Sequence, residues 1–571
     1  MSILDWGTLL LTILAVIVYG IYKGKETKDI DAYYRSGRQL PWYMVMLSVI
    51  GTQASAITFL SGPGQAYTDG MRFLQYYFGL PLAMIVLCIT FVPIFHKLNI
   101  YTAYEFLEKR FDKKTRTLAA LLFMFSRALA TGLSVYAPAI ILSTVLGWNI
   151  YLMNVVMGGI VILYSISGGA KAIAYTQQLQ LIIIFSGLFF AAFLLVSMLP
   201  ANMAFMDAIH VGRLMGKMNV ITTGITEKGF NWNDRFNIFS GVIGGFFLAL
   251  SYFGTDQSQV GRYLTASSVR QSRLGLLMNG LVKVPMQYFI LLIGVLVFVF
   301  YQFNETPLYF NKVALNKLKE TEYRNEVLAL EKEHAMLNAA KFELKKTQTD
   351  YTSESNVKAL MEINTRENIL REEVKALVKK SKIQVEASDT NYIFIGFVLE
   401  RMPHGLIGLL IAVIFLASWG SNASSLNALS SSSLIDIHKQ YTQTPITTER
   451  EFKLSRIYTM IWGVFCILFA EFATNLGSLI EAVNILGSWF YGVMLGIFLV
   501  AFYVKKVGGH AVFIAAIIGE LIVIGMYLYT DIGWLWLNVI GAIAVILLSM
   551  LIQFIIIQRV PFLLASKRSY E

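Results

Sequence analysis

Residues 417–438 read ASWGSNASSLNALSSSSLIDIH and follow the apolar run GLIGLLIAVIFL. Hydroxyls and amides at this density suit a hard alkali cation. Such an ion wants about five or six oxygen ligands and needs no carboxylate where carbonyls and hydroxyls converge. Ala417, Ser421 and Ser424 are spaced by four and three, so they share one helix face. Ser421 offers a hydroxyl, and Ala417 and Gly420 offer carbonyls. A second polar stretch, SVIGTQASAITFLSGPG, could supply the remaining oxygens if Gly51 to Ala54 is unwound; Gln53, Ser55 and Thr58 add polar groups there. Serines in such helices equally serve packing or bond back to a carbonyl one turn earlier, and the spacing leaves both readings open. Arg127, in LLFMFSRALATGLSVY, is the third point of chemistry. Its fork suits a carboxylate; an internal ion pair or a snorkelling end is the other reading.

These residues sit in a chain of 571 residues that is 56% hydrophobic, with mean hydropathy +0.59. Apolar runs of about twenty residues recur from end to end and read as membrane spans. They fall near 4–22, 42–62, 73–96, 117–147, 150–169, 176–200, 236–255, 274–303, 392–431, 455–475, 478–505, 510–529 and 532–556. The expected fold is an all-α polytopic membrane protein with about thirteen transmembrane helices. The first run has no basic residues before it and no small-residue cleavage site after it, so it reads as a retained helix. Cys88 and Cys466 both lie in apolar runs and imply no disulfide framework.

The net charge of +11 is orientation chemistry, with no nucleic-acid partner implied. Lys23, Lys25, Lys28, Arg35 and Arg38 occupy the first loop, and Lys97, Lys109, Arg110, Lys113, Lys114 and Arg116 the third. Arg262, Arg270, Arg273, Lys439, Arg450, Lys453, Arg456, Lys505, Lys506, Lys567 and Arg568 follow on the same side. Basic loops are cytoplasmic, which puts the N-terminus outside and the C-terminus inside. No HExxH motif or nucleophile–base pattern is present, so an enzyme is not expected.

Setting the first helix aside, spans two to six and seven to eleven form two sets of five in opposite orientation. Such inverted repeats bind solute at mid-membrane, where the first helix of each half is broken. Gly51 in one half, and Gly244, Gly245 and Gly254 in GVIGGFFLALSYFGTDQ in the other, make unwinding cheap. Close packing through small residues is the competing reading. Residues 304–390 interrupt the second half with interleaved Glu and Lys. Tyr323, Val327, Leu330, His334, Leu337 and Leu344 mark one helix, Val357, Leu360, Leu370, Val374 and Leu377 a second, and TQTDYTSES a turn. This predicts an extracytoplasmic helical hairpin, either a solvated insertion or a lid over the outer vestibule. The expected divisions are 1–41 (N-terminal helix and loop), 42–200 (first repeat), 201–235 (outer loop), 236–303 and 391–505 (second repeat), 304–390 (insertion) and 506–571 (C-terminal helices and tail).

The segments LSVIGTQASAITFLSGPGQAYTDGMRFL, YTAYEFLEKRF, LSVYAPAIILSTVLGW, YSISGGAKAIAYTQQLQ, DQSQVGRYLTASSVRQSRLGLL and SSLNALSSSSLIDIHK resemble, in order, those of the sodium:solute symporter family. The resemblance implies Na+ as the coupling ion, a small-molecule solute as partner and a multi-pass protein of the plasma (inner) membrane. It implies a sodium site at Gly51, Ala54, Ala417, Gly420 and Ser421, with Gly420 departing from the usual hydroxyl residue. Members with a second sodium site carry Asp after Thr in the segment where this chain has Thr176-Gln177. A second site at Gln177, Ser424 and Ser425 is therefore expected to be absent or weak. The implied solute contacts are Tyr76, Tyr252 and Lys283, beside Ser55, Thr58 and Arg127 from the polar pattern. Arg127 lies one turn before the position of a carboxylate-binding arginine in sialic acid carriers, which is Ala130 here. The sugar branch's ligands are replaced by Thr58, Tyr77 and Ala249. SGPGQAY and VYAPA are nearer the iodide, monocarboxylate and multivitamin branch. A small anion is the expected solute, with a sugar or sialic acid, or a sensor with little flux, as alternatives.

Overall fold

A computed structural model describes all residues except 25–37, 99, 168–169, 202, 348–352, 384, 443–445, 474–476 and 569–571. Lys25, Lys28, Arg35 and most of the expected hairpin turn lie outside the described residues. The helices, in chain order, are α1 (Ile3–Gly24), α2 (Trp42–Gln53), α3 (Ala56–Asp69), α4 (Leu80–Ile89), α5 (Phe91–Leu98), α6 (Glu105–Arg110), α7 (Lys113–Leu146) and α8 (Ile150–Ser167). They continue with α9 (Ala170–Ser197), α10 (Phe205–Leu214), α11 (Gly245–Thr255), α12 (Gln257–Tyr263), α13 (Val269–Gln302), α14 (Lys312–Leu318), α15 (Arg324–Thr347) and α16 (Glu354–Lys380). The last are α17 (Ile393–Arg401), α18 (Leu406–Ser432), α19 (Lys439–Tyr441), α20 (Thr448–Ala470), α21 (Leu479–Tyr503), α22 (Gly509–Tyr529) and α23 (Trp534–Arg568). Among the described residues, ten helical stretches are long and apolar enough to cross a membrane, and the shorter apolar helices 150–166 and 240–255 accompany them. The one sheet described is a two-stranded hairpin, Ile225–Thr226 with Gly229–Phe230.

The first helix of each half is interrupted, although not at the glycines. The chain leaves helical geometry at Ala54 (φ −83°, ψ 77°) and Ser55, between α2 and α3. In the second half it does so at Asp256 (φ −81°, ψ 116°), between α11 and α12. Gly51 and Gly254 remain helical because they are packing positions: a Cβ on Gly51 would meet Gln177 at 3.1 Å, and one on Gly254 would meet Phe91 at 2.7 Å. Residues 240–244 form a wide π turn before α11. The expected span at 392–431 is also divided. α17 stops at Arg401, Gly405 takes φ 90°, and the long buried helix begins at Leu406.

Around the breaks, α3 packs on α13, α9 on α18, α7 on α18 and α21, and α1 on α18. At the end of the core that carries the basic loops, Arg116 grips Asp436 Oδ1 through Nε (2.9 Å) and Nη2 (2.7 Å), and Thr102 donates to the same oxygen at 2.6 Å. The insertion joins the opposite end, called the insertion face below. The seam of α15 and α16 buries Val327, Leu370, Val374 and Val378. Its polar positions dock it on the core: Lys341 Nζ donates to Glu367 (2.6 Å), to Thr306 Oγ1 (3.0 Å) and to the Tyr301 carbonyl (3.3 Å). Burial, with Lys341 close by, holds the His334 imidazole down at about 4, so this ring is uncharged at neutral pH.

Helix approach at α3 and α13 depends on Gly294, where a Cβ would come to 2.1 Å of the Pro63 carbonyl. Gly294→Ala should destabilise the protein by about 1–3 kcal/mol, read as a lower melting temperature in detergent. Gly525→Ala, with nothing within reach of its Cβ, should leave the melting temperature unchanged or raise it. Equal losses from both would contradict this packing.

Candidate functional site

The breaks create the site because a broken helix frees backbone oxygens. The Ser55 N–H turns to the Gln53 carbonyl (3.1 Å), and the Thr58 N–H to the Ser55 carbonyl (3.0 Å). Gly51 and Ala54 thereby lose the donors that a continuous helix would give their carbonyls. Opposite them, α18 carries the serine stretch on uninterrupted backbone. Ser421 Oγ donates to the Ala417 carbonyl at 2.9 Å and the Ser418 carbonyl at 3.1 Å, so its oxygen lone pairs stay available. Ser55, Thr52 and Gln53 from the first break line one central cavity with Ser421 and Ser425. No group of three or more His, Cys, Asp or Glu gathers among the described residues. An ion here would be held by neutral oxygens.

Gln177 occupies the neighbouring polar niche. Its Nε2 donates to the Gly420 carbonyl (3.2 Å), Ser424 Oγ (3.0 Å) and Thr52 Oγ1 (3.3 Å), and its Oε1 accepts from Ser48 Oγ (2.9 Å). One amide nitrogen thus sits where three oxygens converge. Gly420 has a local cause as well: a Cβ there would come to 2.3 Å of Gln180 Oε1. A serine at 420 would require Gln180 to move. Ser425 Oγ bonds back to the Ser421 carbonyl (3.1 Å).

The remaining cavity wall is aromatic and polar, with about 90 Å3 in which the centre of a water molecule can sit. Thr58, Tyr76, Tyr252 and Arg127 line it. Tyr76 donates to Asn484 Oδ1 (3.0 Å), and Tyr252 accepts from Gln259 Nε2 (2.7 Å). Arg127 is not a free anion receptor. Its Nε (3.0 Å) and Nη2 both donate to Asp256 Oδ2, Nη2 also reaches Tyr491 OH (2.8 Å), and the guanidinium lies 5.1 Å from the Tyr252 ring centre. Asp256 is fully buried at the second break, and its other oxygen caps α12 through Ser258 N (2.8 Å). Asp256, Tyr491 and Asn484 are absent from the sequence-based assignment. Asp256 was findable, since an intramembrane carboxylate demands a partner by the same rule that singles out Arg127.

Lys283 is not on the cavity wall. It is fully buried on α13, with Nζ 5.7 Å from the ring centre of Tyr77, which is itself on the wall. Among the described residues its Nζ has no hydrogen-bond partner, and one turn on Gln287 leaves both Nε2 and Oε1 unpartnered.

The sodium:solute symporter family pattern matches residues 33–329 and 362–519. This chain belongs to the sodium:solute symporter family. The match runs through both ends of the insertion and leaves out only 330–361 of it, the distal part of the hairpin. The sodium/sialic acid symporter SiaT of Proteus mirabilis is 24% identical over 553 residues, covering 95% of this chain and 93% of that protein. The human sodium/iodide cotransporter is 29% identical over 307 residues, covering 52% of this chain and 45% of that protein. Among solved structures, a substrate-bound, outward-open Na+-coupled sialic acid symporter superposes with TM-score 0.74 at 21% identity, covering 97% of this chain and 98% of that one. The symporter is therefore a multi-pass membrane protein with Na+ as its coupling ion.

Asp256→Asn in this symporter leaves the Arg127 charge buried without a counterion. It should cost about 3–5 kcal/mol, seen as early thermal unfolding in detergent, and the double variant Arg127→Met, Asp256→Asn should recover much of that loss. A double variant less stable than Asp256→Asn alone would show that the pair is not the source.

Proposed function

We propose that the symporter imports a small organic anion, such as a carboxylate, together with one sodium ion. The N-terminus and the insertion lie outside and the C-terminus inside, in the plasma (inner) membrane. Sodium binds between the freed carbonyls of Gly51 and Ala54 and the Ala417–Ser421 turn of α18, and this steadies the first broken helix. The solute follows into the cavity beside Ser55, Thr58, Tyr76 and Tyr252. One sodium with one monovalent anion moves no net charge, so the sodium gradient drives the import.

The anion reading is carried by Lys283. Arg127 has its charge answered by Asp256, whereas Lys283 has none answering it among the described residues. A buried ammonium without a counterion is costly, and a solute carboxylate reaching past Tyr77 would relieve that cost. A larger acidic sugar is the second reading, favoured by the sodium/sialic acid symporters that align over nearly the whole chain. Net flux into proteoliposomes separates either reading from a sensor.

Lys283→Met should abolish sodium-driven uptake of the carboxylate that wild type transports best in a panel of monocarboxylates and sialic acid, while leaving sodium binding intact. Unchanged carboxylate uptake would turn the assignment toward a neutral solute. For the ion, the purified protein should bind sodium saturably and potassium not, with affinity at least about tenfold weaker in Ser421→Ala. Gln177 supports a single ion, because its amide holds Gly420, Ser424 and Thr52 together. Tracer sodium taken up per solute should therefore be about one in wild type and rise in Gln177→Asp. A wild-type coupling of two would refute the single-ion reading.

A further inference from the structure

A short segment at the end of the insertion, 386–391, is wedged between α3, α7 and the start of α21. Glu386 is 2% exposed. Its Oε1 accepts from Asn391 Nδ2 at 2.5 Å and its Oε2 from Tyr136 OH of α7 at 3.2 Å. Asn391 passes the connection on. Its Oδ1 accepts from Ser61 Oγ of α3 and from the backbone N–H of Leu479 (3.2 Å), and its Nδ2 also donates to the Gly477 carbonyl (3.0 Å). The next contact is backbone to backbone, where a Cβ on Gly64 of α3 would come to 2.1 Å of the Thr390 carbonyl. One side-chain pair, Glu386–Asn391, thus ties the outer half of the first broken helix to the first turn of α21.

These two helices form a partition. On the insertion face a large vestibule of about 1160 Å3 is lined by Gln65 of α3 and by Ser478 and Glu481 at the start of α21. Ile480, Val483 and Asn484 of the same helix line the central cavity below. Between them Gln65 bonds both Glu481 (3.2 Å) and Ser478 (2.9 Å). Parting α3 from α21 would join the cavity to the vestibule.

We infer that Glu386 is a proton-binding site on the insertion face, and that a proton bound there holds this partition shut. The carboxyl faces a separate cavity of about 270 Å3 that Tyr136, Trp148, Tyr151, Asn311 and Tyr392 help to line, which gives protons a route to it. The charged and titratable groups around it do not offer a counterion. Arg371 of α16 is committed to Asp389 through Nε and Nη2, and Asp389 is itself a like charge. Lys317 of α14 is exposed at the rim of that cavity. Tyr136, Tyr309 and Tyr392 are neutral hydroxyls. Burial, against the hydrogen bonds of Asn391, Tyr136 and Tyr392, raises the carboxyl from 4.5 to about 8. Protonated, one Glu386 oxygen accepts from Asn391 and the other gives its proton to a tyrosine oxygen. Ionised, the carboxylate gains by moving to water, which takes the Asn391 anchor with it.

The sign follows from linkage. A group bound more tightly to its proton in the shut state favours that state at low pH. Shut and released states have equal proton content below about 4.5 and again above about 8, so the preference for shut falls only between them. Its limit there is tenfold per pH unit.

The test is independent of the solute but rests on the proposed orientation. Val483→Cys, beneath the partition, is labelled from outside intact cells by a membrane-impermeant thiol reagent. Its rate is divided at each external pH by that of Glu372→Cys, exposed on the insertion. The native Cys88 and Cys466 are buried. The ratio should climb between pH 5 and 8, stay low and flat in Glu386→Gln, and be high already at pH 5 in Asn391→Ala. A climb in Glu386→Gln equal to that with Glu386 present overturns the inference, as does a low ratio at pH 5 in Asn391→Ala should Glu386→Gln fail to fold. Failure of Glu372→Cys to label at all would instead refute the orientation.

Discussion

Hydrocarbon offers no hydrogen bonds, so a helix interrupted at mid-membrane has to answer every backbone group it frees. The two interruptions, at Ala54–Ser55 and at Asp256, therefore organise the core around them. The first is answered by a turn that spends the Ser55 and Thr58 N–H groups locally and leaves the Gly51 and Ala54 carbonyls without their helical donors. The second is answered by a side chain, since Asp256 caps the next helix with one oxygen and takes Arg127 with the other. One break is left poor in donors and the other is neutralised, and in the proposed function that asymmetry separates the ion from the solute.

The same rule explains residues that look like ligands and are not free to act as such. Arg127 has the fork of an anion receptor, yet Asp256, Tyr491 and the Tyr252 ring occupy it. Gln177 sits where polar oxygens converge, yet its amide nitrogen already bonds the Gly420 carbonyl and Ser424 Oγ. In both cases a fixed internal group takes the place of a mobile one. Lys283 is the reverse: a buried amine whose Nζ has no hydrogen-bond partner among the described residues, set behind Tyr77 at the edge of the cavity.

The insertion belongs to the same scheme. Its seam is partly polar because Lys341, Glu367 and Thr306 dock it on the core as well as hold it together. Its end contributes Glu386 and Asn391 to the contact between α3 and α21. The stretch 330–361, which the family pattern leaves out, does not include that contact.

Length, composition and charge placement in the sequence by themselves determined that the chain is a bundle of membrane helices, that the stretch 417–438 is polar where it should be apolar, and that 304–390 holds a charged pair of helices. They do so because a bilayer constrains each segment on its own, through span length and the cost of charge. The family, and with it the sodium ion, was also legible, because ordered motifs survive low overall identity. Only tertiary structure decided which residues break the helices, since Gly51 and Gly254 are flexible by type but are held helical by Gln177 and Phe91. It alone paired Arg127 with Asp256, 129 positions apart, and placed Lys283 behind the cavity wall. It also joined Glu386 to two helices of the core. Each of these depends on which side chain reaches a given point in space, and no local spacing encodes that.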